Sequence, residues 1–246
     1  MSSATNQTTY LVKLKDRRQV AERTMAFQFE KPEDFTFKAG QSINMTLVDP
    51  SETDREGNTR TFSLASAPNA GMLLIATQMR DTAFKRVLGT LQTGSQVKIE
   101  GPFGNLVLHD DPAKAMVFLA GGIGITPFRS ILLRAARKQL PHRLFLFYAN
   151  RRPEDAMFLH ELEVLQLQHP ACKFVYTITD RSGSHPSWKG ETGIINQEML
   201  AKHRINEAAA IYYVAGPPRM VKAMRTLLNN MGVNGGDIRT EEFVGY

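Results

Sequence analysis

Three short stretches of this 246-residue chain combine residue types that could do chemistry. In Leu119–Pro127 (LAGGIGITP) an apolar run enters Gly121, Gly122 and Gly124, then Thr126 and Pro127. Glycines let a backbone approach a ligand closely. The helix that follows offers free N–H groups and a positive dipole end to a pyrophosphate. Thr126 is expected at the N-cap and Pro127 at the first helical position, where a missing N–H costs nothing. The spacing is not Gly-x-Gly-x-x-Gly, because Pro127 takes the third place, and a tight strand-to-helix turn that binds nothing remains open. In Tyr213–Met220 (YVAGPPRM) a second apolar strand ends at Gly216, and Pro217–Pro218 starts another helix. Two such turns in one parallel sheet place two helix N-termini at its C-terminal edge, where open α/β sheets bind ligands. Ordinary helix initiation is the alternative. In Arg60–Pro68 (RTFSLASAP), an extended strand puts Arg60 and Phe62 on one face and Ser63 on the other. Those side chains could pair a phosphate, stack on a ring and hydrogen-bond a ring nitrogen. A solvated strand end at Arg60 and a core role for Phe62 would explain the same residues.

Other chemistries lack their residues. The one cysteine, Cys172, excludes an intramolecular disulfide, a Cys-rich zinc site and a Cys-ligated iron–sulfur cluster, and reads as a small buried hydrophobe. His109, His142, His160, His169, His185 and His203 are scattered without metal-ligand spacing, are assigned to surfaces and loops, and no metal is expected. No serine-nucleophile motif or Walker loop occurs, and Lys189–Gly193 has loop composition in the wrong order for a phosphate loop. The net charge is +6, unevenly divided between residues 1–110 and 111–246, with most of the excess in the second part. That suits an anionic ligand or an acidic protein partner. No basic run interleaves with aromatics, so no nucleic acid is expected. The longest nearly uncharged apolar stretch, Ala115–Pro127, is too short and glycine-rich to span a bilayer, and the N-terminus lacks a basic stretch leading into an apolar core. A cytoplasmic protein without a membrane span is the expectation.

The elements that must position these residues fall into two groups. Tyr10–Lys15, Thr24–Glu30, Ser42–Val48, Thr59–Leu64, Met72–Met79 and Ser95–Glu100 alternate or run apolar at strand length, with one helix near Thr82–Leu91, so an antiparallel barrel or sandwich is expected. From Ala115 onward strands and helices alternate. Strands are expected at Met116–Ala120, Arg143–Tyr148, Lys173–Thr179 and Ala210–Ala215. Helices are expected at Pro127–Gln139, Glu154–Gln168, Asn196–His203 and Pro218–Met231. The last should bury Met220, Ala223, Met224, Leu227, Leu228 and Met231, with Gly232 just past its end. Repeated strand–helix units imply a doubly wound parallel sheet covered on both faces. The polar segment His109–Lys114 divides the chain into domains 1–110 and 111–246.

Taken in order, these segments resemble the ferredoxin–NADP reductase family over nearly the whole chain. Phe37-Lys38-Ala39-Gly40-Gln41 resembles the strand entry of its flavin domain. Arg60-Thr61-Phe62-Ser63-Leu64-Ala65-Ser66 resembles its Arg-x-Tyr-Ser-x-x-Ser flavin motif, with Phe in the Tyr place. Met79–Leu88 resembles the segment that cradles the flavin pyrophosphate, and Gly101-Pro102-Phe103-Gly104 the turn closing that domain. Gly121–Pro127 resembles the Gly-Gly-x-Gly-x-Thr-Pro nicotinamide motif. Ala215-Gly216-Pro217-Pro218 resembles Cys-Gly-Pro-x with Ala in the Cys place, and Glu241-Glu242-Phe243 the Glu-x-aromatic flavin cover.

The resemblance implies an antiparallel FAD-binding barrel followed by a parallel NAD(P)-binding domain. It implies hydride transfer from NADH or NADPH to FAD, then electron release to an acceptor. Arg60 would pair the flavin diphosphate with help from Arg80 and the N–H groups near Thr82, Ala83 and Phe84. Thr61, Thr77 and Met79 would complete the lining. Phe62 would stack on the ring without the hydrogen bond a Tyr makes. Ser63 would bond flavin N5, with Glu241 beside it relaying the proton, and Phe243 would cover the other face, while Tyr246 has no assigned role. Gly121, Gly122, Gly124, Thr126, Pro127, Ala215, Gly216 and Pro217 would hold the nicotinamide coenzyme. Asp180 and Arg181 would face its 2′ position together with Arg151 and Arg152. There the directly placed carboxylate favours NADH over NADPH. With one Cys and no residues for a further redox domain, the acceptor is expected to be separate: an acidic carrier such as ferredoxin or flavodoxin, or a small molecule. The alternative is a non-catalytic, FAD-holding electron-conduit or regulatory subunit of a larger complex.

Overall fold

The computed structural model describes residues 8–169, 171–180, 188–203 and 210–244. In the first part the strands are β1 (Thr9–Ala21), β2 (Thr24–Glu30), β3 (Ser42–Leu47), β4 (Thr59–Ser63), β5 (Met72–Gln78) and β6 (Gln96–Phe103). They alternate as half-buried strands do, turning Val12, Leu14, Phe27, Phe29, Ile43, Met45 and Ile99 inward. The antiparallel order is β4-β3-β6-β1-β2-β5. The Ala65 N–H reaches the Leu74 carbonyl at 2.8 Å, so the sheet curls until its two ends meet. Helix α1 (Ala83–Thr90) closes one end with Phe84, Val87 and Leu88. Strand β1 runs six residues past the expected Lys15 because it changes partner: Thr9–Lys13 pair with β6 and Leu14–Ala21 with β2. Its second stretch is polar and half-exposed, so no apolar run marked it.

The second part is a parallel sheet of β7 (Ala115–Gly121), β8 (Leu144–Asn150), β9 (Cys172–Ile178), β10 (Glu191–Thr192), β11 (Ala210–Gly216) and β12 (Ile238–Glu242), in the order β10-β9-β8-β7-β11-β12. Helices α2 (Ile125–Arg137) and α3 (Leu159–Gln168) pack on one face, α4 (Gln197–Lys202) and α5 (Pro218–Asn230) on the other. Strand order reverses direction between β7 and β11, and that switch point opens a crevice at the strand ends. Cys172 is buried as the first residue of β9.

Three expectations need correction, and two strands had none. The helix expected from Glu154 begins at Leu159. A 3₁₀ turn at Pro153–Asp155 precedes it, Phe158 adopts a left-handed φ of 60°, and the Met157 N–H bonds the Tyr148 hydroxyl at 3.2 Å. The polar edge strand β12 and the two-residue β10 carry no apolar period and went unread. The buried stripe of α5 is Val221, Met224 and Leu228, which turns Met220 and Ala223 toward the crevice. The assignment of all histidines to surfaces fails for His109 and His142, which are 8% and 3% exposed.

The two parts share one core. Ala26, Ala39, Ala65, Leu74, Ala76 and Leu106 of the barrel wall pack with Phe128 and Ile131 of α2. Small residues at most of those positions let the helix lie close. Across that seam the buried Arg129 guanidinium donates to the Ala65 carbonyl, and the Ser130 hydroxyl to the Ser66 carbonyl at 2.6 Å. Glu161 balances Arg129 at 2.7 Å, and the Phe158 ring lies 4.7 Å from its guanidinium carbon.

Between the parts, His109 Nδ1 lies 2.9 Å from the Tyr213 hydroxyl and Nε2 3.2 Å from the Lys114 carbonyl. The His142 ring packs edge-on at 5.2 Å, and neither of its nitrogens has a partner among the described residues. Burial pushes both imidazoles below the ordinary histidine range. An unfolded chain binds these protons near pH 6.5 and the folded chain resists them, so stability is full above about pH 6.5 and falls as pH drops below it. Replacing His142 with Leu should flatten that fall. Denaturant unfolding at about pH 7.5 and about pH 5.5 checks this, and equal losses in H142L and wild type would place the acid sensitivity elsewhere.

Candidate active site

The β7–α2 and β11–α5 turns press against each other because glycines line the contact. A Cβ on Gly124 would lie 2.1 Å from the Ala215 carbonyl oxygen, and one on Gly216 would lie 3.2 Å from Gly121 backbone. Only bare backbone fits there. The local geometry differs from the expected capping. A 3₁₀ turn at Gly122–Gly124 leads into α2, so Thr126 is a buried second helical residue whose hydroxyl donates to the Ile123 carbonyl at 2.9 Å, and not the N-cap. Pro127 is the third helical residue, not the first, still within the turn whose N–H groups need no helical partner.

A cleft of about 620 Å³ opens over these turns. Gly121, Gly122, Pro217 and Asp180 line it, whereas Gly124, Thr126, Pro127 and Ala215 are buried behind. Its far wall comes from the ends of β8 and β9, with Asn150–Arg152 and Thr179–Asp180. Its near wall comes from the barrel, at Glu22, Arg23, Thr24 and Gln78. Asp180 sits 3.5 Å from Arg151 Nη2, and Arg152 is tied to Glu22 and Asp155. Arg181 and Tyr246 lie outside the described residues.

Beside the turns the two parts meet chemically. The Ser63 hydroxyl, at the end of β4, donates to Glu241 Oε1 at 2.7 Å. Glu241 is placed by its pairing with Ala215 in the parallel sheet, and the Phe243 N–H bonds the Gly216 carbonyl at 3.0 Å. Burial pushes the Glu241 carboxyl above the ordinary carboxylate range, and the Ser63 hydroxyl draws it partway back. A carboxyl that keeps its proton to higher pH, bonded to a hydroxyl, can hold or move a proton at one place. The separation of 178 positions between the pair is why spacing alone could not join them.

The remaining sequence-derived residues gather around α1. Arg60 and Phe62 share a face opposite Ser63, since Met45 pairs with Arg60 and Ile43 with Phe62. Thr61 turns away and bonds Asn44 at 2.7 Å. Phe62 is buried 5.9 Å from the Phe84 ring. Thr82 caps α1, Met79 and Arg80 line an open groove beside it, and Thr77 is buried under the Lys85 ammonium that bonds it. The start of α1 is arranged for an anion. Asp54 accepts the Ala83 N–H at 3.2 Å and stands 3.5 Å from Arg60 Nη2, while Arg60 also pairs with Glu56 at 2.8 Å. This donor set fits a diphosphate. Sequence reasoning passed over Lys85, Asp54 and Glu22, because a charged residue in a polar segment reads as solvated. The Lys85 ammonium is instead pushed down to about 7, first by burial and then by the charges of Arg60 and Arg80.

Comparison with known proteins identifies the two parts of the chain. Residues 11–108 match the oxidoreductase FAD-binding domain, and residues 118–226 the oxidoreductase NAD-binding domain. The flavohemoprotein of Bacillus subtilis (strain 168) is 31% identical over 224 residues, which are 87% of this chain and 54% of that protein. Ferredoxin–NADP reductase B of Sorangium cellulosum (strain So ce56) is 27% identical over 229 residues, 90% of this chain and 91% of that protein. Several other curated relatives are longer, and the chain spans 39% to 60% of their length. A crystal structure of a ferredoxin NADP+ reductase from Neisseria gonorrhoeae with bound FAD and NADP has the same fold, with a TM-score of 0.78, 23% identity, and coverage of 95% of this chain and 98% of that one. Among the described residues no helix is long and apolar enough to cross a membrane. With an FAD-binding barrel joined to an NAD-binding sheet across a shared core, the chain belongs to the ferredoxin reductase-like family of oxidoreductases.

Proposed function

We propose that this chain is a reductase that draws hydride from a nicotinamide coenzyme held by residues 111–246, through FAD held by residues 1–110, and passes electrons to a separate acceptor. The observation that supports it most is the Ser63–Glu241 bond of 2.7 Å, where a hydroxyl of the FAD-binding half meets a carboxyl of the NAD-binding half beside the two glycine turns. FAD bound there supplies two-electron acceptance and one-electron release, which no side chain of the chain can supply.

The residues divide the rest of the work. Arg60, Arg80 and the N–H groups at Thr82–Phe84 hold the diphosphate, whose oxygens take the place of the Asp54 carboxylate as acceptor. Met79 borders the flavin's chain and Phe243 covers its ring, while Phe62 and Thr77, both buried, and Thr61, bonded to Asn44, support that wall from behind. Ser63 hydrogen-bonds the ring nitrogen that accepts hydride, and Glu241 keeps a proton within reach of that atom. Gly121 and Gly122, with Pro217, line the cleft floor, and Gly124, Ala215 and Gly216 let the two turns close on each other beneath it, so the coenzyme can lie close to the ring. The net charge of +6 favours an acidic carrier protein as acceptor, and a small-molecule acceptor is the second candidate. The coenzyme is NADH on this reading, because Asp180 faces the cleft and both described arginines beside it, Arg151 and Arg152, are already paired with carboxylates.

Three measurements test this. Ser63→Ala should retain flavin yet slow its anaerobic reduction by about 10²–10⁴-fold in stopped flow, and a rate within about a factor of two of wild type would remove Ser63 from the step. Arg60→Ala should weaken FAD binding by about 10- to 150-fold, the equivalent of about 1.5–3 kcal/mol for a charge-assisted pair, and unchanged affinity would move the diphosphate elsewhere. With a small artificial acceptor, kcat/KM should favour NADH. A preference of about tenfold for NADPH would overturn the coenzyme reading.

A further inference from the structure

We infer that Glu22, in the β1–β2 turn of the FAD-binding half, is a specificity-determining residue for the coenzyme bound by the other half, because it holds the Arg152 guanidinium away from the coenzyme's adenosine ribose. This rests on the reading of the cleft as an NADH site. Arg152 stands at the end of β8, in the cleft wall where the adenosine end of a dinucleotide lies in a doubly wound sheet. A guanidinium there is the natural partner of a 2′-phosphate.

In this structure Arg152 is committed. Its Nη2 lies 2.5 Å from Glu22 Oε2 and 3.1 Å from Asp155 Oδ1, and its Nε lies 3.4 Å from Asp155 Oδ2. Two carboxylates on one guanidinium leave the trio with a net negative charge. That trio repels a phosphate dianion beside it, whereas an unmodified ribose carries no charge for it to oppose. Asp180, in the same wall, stands against Arg151 and leaves that sign unchanged.

Glu22 is held in place by backbone on both sides. Its own N–H bonds the Glu154 carbonyl of the NAD-binding half at 2.8 Å. The next residue, Arg23, has a left-handed φ of 52° and accepts the Met79 N–H at 2.6 Å within the barrel. The carboxylate is therefore presented to Arg152 by a turn pinned to both halves, at no cost in ordering when the coenzyme arrives. Asp155, in contrast, is local to Arg152 and also accepts its backbone N–H at 3.2 Å. Asp155 thus also serves the 3₁₀ turn that carries Arg152, so Glu22 is the acid whose charge can be removed with that turn untouched by the substitution.

The test is calorimetric binding of ADP-ribose and 2′-phospho-ADP-ribose, which reads recognition of the ribose without electron transfer. Glu22→Gln keeps the turn's backbone bonds and removes the charge. It should tighten 2′-phospho-ADP-ribose at least about fivefold and leave ADP-ribose within about twofold. Adding Arg152→Leu to E22Q should abolish that gain. No gain in E22Q, or a gain that survives loss of Arg152, overturns the role of Glu22. A wild-type preference for 2′-phospho-ADP-ribose overturns the NADH reading instead, and the change in the ratio on E22Q still decides Glu22 by itself.

Discussion

Two donors on α2, the Arg129 guanidinium and the Ser130 hydroxyl, reach across to the carbonyl oxygens of Ala65 and Ser66, and the relation between the two halves depends on them. Both donors are buried, so an unmade bond at either end would leave a desolvated polar group at a cost of about 1–3 kcal/mol. The charge on Arg129 is tolerable in the seam because Glu161 balances it and a Phe158 ring lies under it. Ala65 is two residues from Ser63. The same seam therefore sets where the Ser63 hydroxyl falls relative to Glu241, a residue that belongs to the other sheet. A site assembled from two sheets needs a rigid joint more than it needs a deep pocket.

The parts of this fold that were legible in the sequence are those where one signal acts locally. Short alternating strands, the glycine turns at Gly121–Gly124 and Gly216, and the buried face of α2 follow from period and turn chemistry over a few residues. What was not legible depends on a distant partner. β12 is Ile238 and four polar residues, which form a strand only because β11 supplies a ladder. The helix expected through Phe158 is interrupted because the Tyr148 hydroxyl takes the Met157 N–H and the Phe158 ring is wanted under Arg129. His109 is buried because Tyr213, 104 positions away, offers a hydroxyl to its backbone and its ring. Of the site, the glycine floor was visible as composition. The meeting of Ser63 with Glu241 was reached through family resemblance, and the clamp of Glu22 on Arg152 was not reached at all.

The two ends of the site have opposite electrostatic character. Around α1, Arg60, Arg80 and Lys85 converge on the start of a capped helix, and the nearest acids reach in from the loop that joins β3 to β4. Around the far wall of the cleft, Arg151 meets one carboxylate and Arg152 meets two. A diphosphate is drawn to the first place by concentrated positive charge. At the second, recognition is left to hydrogen bonds whose geometry is fixed by backbone, which is the safer device where two ligands differ by one phosphate.

The lone thiol has a chemical consequence of its own. Cys172 is buried at the start of β9, and burial alone pushes its thiol up to about 11. The thiolate is the form that peroxide and electrophiles attack, so at neutral pH this sulfur is chemically quiet. Reduced oxygen species formed at a bound flavin would meet no ready thiolate on this chain. For the same reason, a thiol reagent reaches Cys172 only when the β8–β9 edge of the sheet opens. Its labelling rate thus clocks the local unfolding of that edge, with no probe added to the protein.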